Sequence, residues 1–181
     1  MKRFIFLILI CANTSLLAKP GNNVQVSISG AYLFESDNLY FAEIDRFFYI
    51  GDAIILKAES DYYFHTFNKN FGVGLFANIG SPWYDGFEET LMIEFGPALK
   101  WKFNLKKIVF IPSFYIGYRS YEGDAGDGLG LNLSIKAQFP QDKFIPFIDI
   151  GFLTQPAGGN DATDITFSPV FILGGGVSFN L

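Results

Sequence analysis

The chain has 181 residues, half of them hydrophobic, with 22 phenylalanines, 9 tyrosines, 19 glycines and a formal net charge of −5. That length holds one domain with a real core. The acidic balance and the lack of any basic patch exclude a nucleic-acid surface, and a single cysteine, Cys11, excludes a disulfide framework.

Residues 1–18 have the layout of a secretory signal peptide. Met1-Lys2-Arg3 is the basic start, Phe4 to Ile10 the apolar run, and "NTSLLA" leads to cleavage near Ala18. A membrane anchor fails on length, because seven apolar residues cannot cross a hydrocarbon core about 30 Å thick. Cys11 follows the bulky Ile10, whereas a lipoprotein signal has a small residue there. The exported domain is then 19–181, without cysteine and without an apolar run long enough for a spanning helix.

Eight strands are expected in that domain. They are Val24–Phe34, Ile54–Phe64, Phe71–Gly80, Leu91–Phe103, Ile108–Arg119, Gly128–Phe139, Phe144–Leu153 and Ile165–Leu181. The sixth, "GLGLNLSIKAQF", shows the pattern most cleanly. Leu129, Leu131, Leu133, Ile135, Ala137 and Phe139 alternate with Gly130, Asn132, Ser134, Lys136 and Gln138. A period of two gives one apolar and one polar face. In a soluble sandwich the leucines would form the core. In a membrane barrel they would meet lipid and Lys136 would face the lumen.

The connections decide between the two. Turns such as "FNKN", "NLKK" and "PQDK" are short, whereas "ESDNLYFAEIDRFFYIGD", "SPWYDGFEE", "SYEGDAGD" and "TQPAGGNDATD" are long, and the two kinds alternate. A soluble meander has no reason to do this, but a membrane barrel does, with short periplasmic turns and long outer loops. Charge divides the same way. Glu35, Asp37, Glu43, Asp45, Asp52, Asp85, Glu88, Glu89, Glu122, Asp124, Asp127, Asp161 and Asp164 lie in or beside the long loops, 13 of the 18 acids. The short turns carry Lys69, Lys106, Lys107 and Lys143. The reading is an all-β, eight-stranded antiparallel up-and-down transmembrane β-barrel. Four prolines, Pro97, Pro112, Pro146 and Pro169, fall within predicted strands on the lipid face. Each removes a ladder hydrogen bond, which counts against a closed barrel unless the sites are accommodated, for example as bulges near the membrane interfaces; the sequence leaves that open.

Two segments repeat: "FIPSFYIGY" at 110–118 and "FIPFIDIGF" at 144–152. Each opens a strand after a short turn. They resemble the openings of upward strands in the OmpA/OmpX-like small outer-membrane barrel superfamily. The chain end "GGGVSFNL" resembles the β-signal of such barrels, with Gly176, Phe179 and Leu181 matching. It departs from that pattern at Gly174, where a polar residue is usual, and at Leu181, where Phe is commoner. The resemblance implies outer-membrane lipid and lipopolysaccharide as surroundings, in a Gram-negative envelope, and the barrel-assembly machinery as a partner.

Chemistry is sparse. His65 is the one histidine; some barrels that this one resembles modify lipid A, but His65 falls beside the short turn "FNKN" with no serine motif near it, so it reads as a rim residue. "GDAGDG" lacks the spaced ligands and closing Glu of a calcium loop. No metal site, cofactor or catalytic set is expected. The polar strand faces carry Lys57, Glu59, Asp61, Glu94, Lys100, Arg119, Lys136 and Asp149, four of each sign. They are expected to pair with one another and fill a narrow lumen, with an ion path as the alternative. Aromatics gather near both predicted boundaries: Phe47, Phe48, Tyr49, Trp83, Tyr84 and Tyr118 at one, Trp101, Phe103, Phe139, Phe144 and Phe179 at the other. The functional expectation is a non-enzymatic outer-membrane protein whose long loops bind an unknown surface ligand or support envelope integrity. A small porin is the alternative; a lipid-A-modifying enzyme and a soluble lipocalin-like carrier are weaker ones.

Overall fold

The computed structural model describes residues 24–34, 36–41, 46–50, 53–63, 70–80, 91–121, 127–141, 144–160 and 163–180. The strands are β1 (Val24–Leu33), β2 (Ser36–Phe41), β3 (Arg46–Ile50), β4 (Ala53–Tyr63), β5 (Phe71–Gly80), β6 (Met92–Trp101), β7 (Phe103–Leu105), β8 (Ile108–Tyr121), β9 (Asp127–Gln138), β10 (Ile145–Asn160) and β11 (Thr163–Asn180). Neighbours pair antiparallel, and β1 pairs with both β4 and β11. The sheet therefore closes into an eight-stave barrel through the β1–β11 pairing.

Eleven segments make eight staves for simple reasons. β6 and β7 are one stave interrupted at Lys102, since both pair with β8 in a single register. β2 and β3 stand above β1 and β4: β2 pairs with β11 as β1 does, and β3 pairs with β2 as β4 does with β1. The first long connection thus carries a hairpin, where the sequence reading has only a loop. Likewise β10 runs on to Asn160 and β11 starts at Thr163, so most of "TQPAGGNDATD" is paired strand. The wall is extended on this side at the long-loop end.

The alternation settles which face is which. Leu133 and Ile135 are 57% and 54% exposed, whereas Ser134 and Lys136 are 5% and 1% exposed. The same inversion holds around the barrel. Ile54, Leu56, Leu75, Phe95, Leu99, Ile148, Ile150 and Phe152 point outward, while Gln25, Ser27, Glu59, Asn78, Glu94, Asn132 and Asp149 are buried inside. A wall with apolar side chains out and charges in is stable only where the surroundings are hydrocarbon. Trp101, Phe103, Phe139, Phe144 and Phe179 are outward near the short-turn end.

Only one of the four strand prolines marks a register shift. Pro169 lies where the β10–β11 pairing slips between Phe167↔Gln155 and Val170↔Leu153. The others keep register and sit where one ladder lapses. Pro97 pairs with Leu75 but has no paired residue in β8. Pro112 pairs with Ile135 and sits opposite the β6–β7 break. Pro146 is at the start of β10, where β9 ends. A proline lacks one donor, so it is tolerated where that side is already unpaired.

Candidate functional site

The lumen gathers the polar side chains that alternation turns inward. Glu59 of β4 is its hub. Its Oε2 lies 2.5 Å from Lys100 Nζ and 2.6 Å from Lys136 Nζ; its Oε1 lies 3.0 Å from Lys57 Nζ. Tyr115 donates its hydroxyl to the same Oε1 at 3.0 Å. Lys100 also binds Asp61 at 2.8 Å, and Lys57 binds Asp149 at 3.1 Å. Three lysines from three strands thus converge on one carboxylate, and the two flanking aspartates take up the remaining positive charge.

A second group lies toward the long-loop end. Arg119 Nη2 is 3.3 Å from Glu94 Oε2. Asn78 and Asn132 donate to Glu94 at 3.1 and 3.2 Å. Arg119 Nη1 donates to the Thr154 carbonyl at 3.2 Å and to Gln155 Oε1 at 3.4 Å. Between the groups, Phe76, Ala98 and Tyr115 form a small apolar plug, with Phe76 and Tyr115 edge to face at 5.1 Å. Lys57 Nζ stands 4.3 Å over the Tyr115 ring. Toward the short-turn end, Gln138 donates to Gln25 at 2.8 Å and to Ser178 at 3.2 Å, and Ser27 and Ser178 share a hydrogen bond of 2.9 Å. There Lys102 Nζ lies 3.4 Å over the Tyr63 ring.

Every one of Lys57, Glu59, Asp61, Glu94, Lys100, Arg119, Lys136 and Asp149 is buried and takes part in an ion pair. The structure brings them together as two groups rather than one file of charges. The sequence reading omits the neutral members, Tyr115, Asn78 and Gln155, and the cation Lys102. Their signal is present: Tyr115, Gln155 and Lys102 each share the inward parity of a strand with a charge already named, and Asn78 has the parity opposite the apolar face of β5. Gly176 and Phe179 lie on β11 with opposite facing, Gly176 inward against Ser29 and Phe179 outward. Leu181, His65, Trp83 and Tyr84 lie outside the described residues. Among the described residues no three His, Cys, Asp or Glu side chains form a metal-binding group.

No family model and no curated protein matches the chain. Solved structures do. Neisserial surface protein A is similar at TM-score 0.63 and 7% identity, over 88% of this chain and 97% of that one. The outer membrane protein OprG from Pseudomonas aeruginosa is similar at TM-score 0.61 and 10% identity, over 87% of this chain and 95% of that one. The fold is that of a small eight-stranded outer-membrane barrel. Such a barrel has an interior only just wide enough for side chains, and here the two ion-pair groups and the Phe76–Tyr115 plug occupy it. Charges removed from water in this way persist only when paired, which the opposed set of four and four achieves. The eight lumen charges are therefore buried and paired with one another.

Proposed function

We propose that this chain is a non-enzymatic integral outer-membrane protein that works through its long loops, by binding at the cell surface or by tying the barrel into the lipopolysaccharide layer. The observation that carries the reading is the filled lumen, which leaves the loop end as the part free to meet a partner. The long loops hold 13 of the 18 acids, so they present a negative rim. Lipopolysaccharide phosphates are also negative, and direct contact then needs a bridging Mg²⁺ or Ca²⁺. In bilayers containing lipopolysaccharide, millimolar Mg²⁺ is expected to raise the thermal stability of the wild-type barrel. Neutralising Glu88, Glu89, Asp124 and Asp127 together should reduce that gain. An identical Mg²⁺ response in both proteins would leave the acids as a merely hydrated rim.

The orientation follows from short turns inside and long loops outside. A cysteine at Gly159 should be labelled on intact cells by an impermeant reagent, and one at Lys107 should not. Labelling at Lys107 alone would invert the topology and remove the surface role. A small channel is the second reading, favoured by the polar side chains that line the lumen from Gln155 through Glu59 to Gln25 on both sides of the Phe76–Tyr115 plug.

A further inference from the structure

The outer wall over β6, β8, β9 and β10 is not uniformly filled. A groove of about 650 Å³ crosses it, lined by Trp101, Phe110, Pro112, Leu133, Ala137 and Ile150 among others. The register explains the hollow. Pro112 pairs with Ile135, and Ile135 with Ile150. In the next row toward the short turns, Phe110 pairs with Ala137, and Ala137 with Ile148. The short side chains of Pro112 and Ala137 thus sit between bulky neighbours and leave a trough bordered by rings. At its lower border Trp101 packs on Phe71 with ring centroids 5.5 Å apart, as expected at the level where hydrocarbon gives way to headgroups.

The turn below is the most basic short stretch in the described chain. Leu105 pairs with Ile108, so Lys106 and Lys107 form the tip, and both are exposed. No acid occurs from Phe103 to Pro112. The tip is joined to the groove by the same strand: Phe110 comes three residues after Lys107, roughly 10 Å of extended chain. A bilayer lipid has the matching anatomy, with a charged phosphate at headgroup depth and an apolar chain running inward from it. We propose that the groove and the Lys106–Lys107 turn form one binding site for a phospholipid of net negative charge, taken from the leaflet on the short-turn side. The chain lies along Pro112 and Ala137, and the phosphate meets the two lysines. Ordinary annular lipid would show neither a headgroup preference nor a dependence on one face.

This site rests on the membrane reading but not on any role of the loops. The test is native mass spectrometry of the full-length folded barrel released from bilayers of equal phosphatidylglycerol and phosphatidylcholine. The wild type should retain one phosphatidylglycerol with a preference of about ten-fold or more. Ala137→Phe should abolish retention of both lipids, while Leu56→Phe on the far wall, where the side chain is 54% exposed, should leave it unchanged. Lys106→Gln with Lys107→Gln, at an exposed turn, should remove the preference and keep chain occupancy. Folding of each variant is checked by heat-modifiable migration. If Ala137→Phe does not fold, the lysine pair alone decides. Equal retention of the two lipids by the wild type, equal loss in Leu56→Phe, or a dimer held through this face in place of lipid would each overturn the site. A chain found only in the soluble periplasmic fraction would instead end the membrane reading itself.

Discussion

Single residues in this barrel have opposite tolerances according to parity. Leu133 points to lipid and Ser134, its neighbour in sequence, points to the lumen. Leu133→Arg should cost about 2–4 kcal/mol if the site is near the midplane, and Ser134→Ala should be mild. Reversible folding into lipid by denaturant titration measures both, and equal tolerance would sink the facing assignment. Glu59 is the residue on which the lumen depends most. Removing its charge leaves Lys57, Lys100 and Lys136 converging on a neutral side chain. The expected loss for Glu59→Gln is about 3–5 kcal/mol, because an uncompensated buried charge costs more than the pair contributes. A loss below about 1 kcal/mol, the range of solvated surface pairs, would mean that water reaches the hub. The eight charges were legible in the sequence because each falls on the polar parity of a clearly alternating strand. Their grouping was not. Which lysine reaches Glu59 depends on cross-barrel distances, and alternation says nothing about those.

At the scale of elements, the eight staves could be read from the sequence because the outer face is almost wholly apolar against a polar inner face. The exceptions are physical. The β2–β3 hairpin lies in "ESDNLYFAEIDRFFYIGD", whose acids and adjacent aromatics break the alternation, so only pairing to β11 identifies it. The end of β10 runs through Pro156, Ala157 and Gly158, a loop-like composition held extended by β9 and β11. How the strand prolines are accommodated was open in the sequence for a related reason. A bulge is one way to lose a hydrogen bond without cost, and a ladder that has already lapsed is another; Pro97, Pro112 and Pro146 use the second. The last stave closes the barrel by pairing Val26 with Phe179 and Gln25 with Asn180. Deleting Phe179–Leu181 should therefore leave export and signal cleavage intact but prevent assembly, with the chain degraded in the periplasm. Immunoblots of outer-membrane and soluble fractions check this, and normal surface levels of the truncated chain would show that the β-signal resemblance carries no function.

For the whole molecule, the account joins three facts: a closed wall, an apolar outer face and a lumen filled by paired charges. The first two define a membrane barrel. The third is what the proposed loop function rests on, since a lumen occupied by the Glu59 and Glu94 groups and the Phe76–Tyr115 contact leaves no wide water path. Recording from the purified, refolded barrel in a planar bilayer tests this most directly. The account predicts a silent baseline for the wild type, with no large stable single-channel steps. Large, stable steps from the wild-type protein would contradict it.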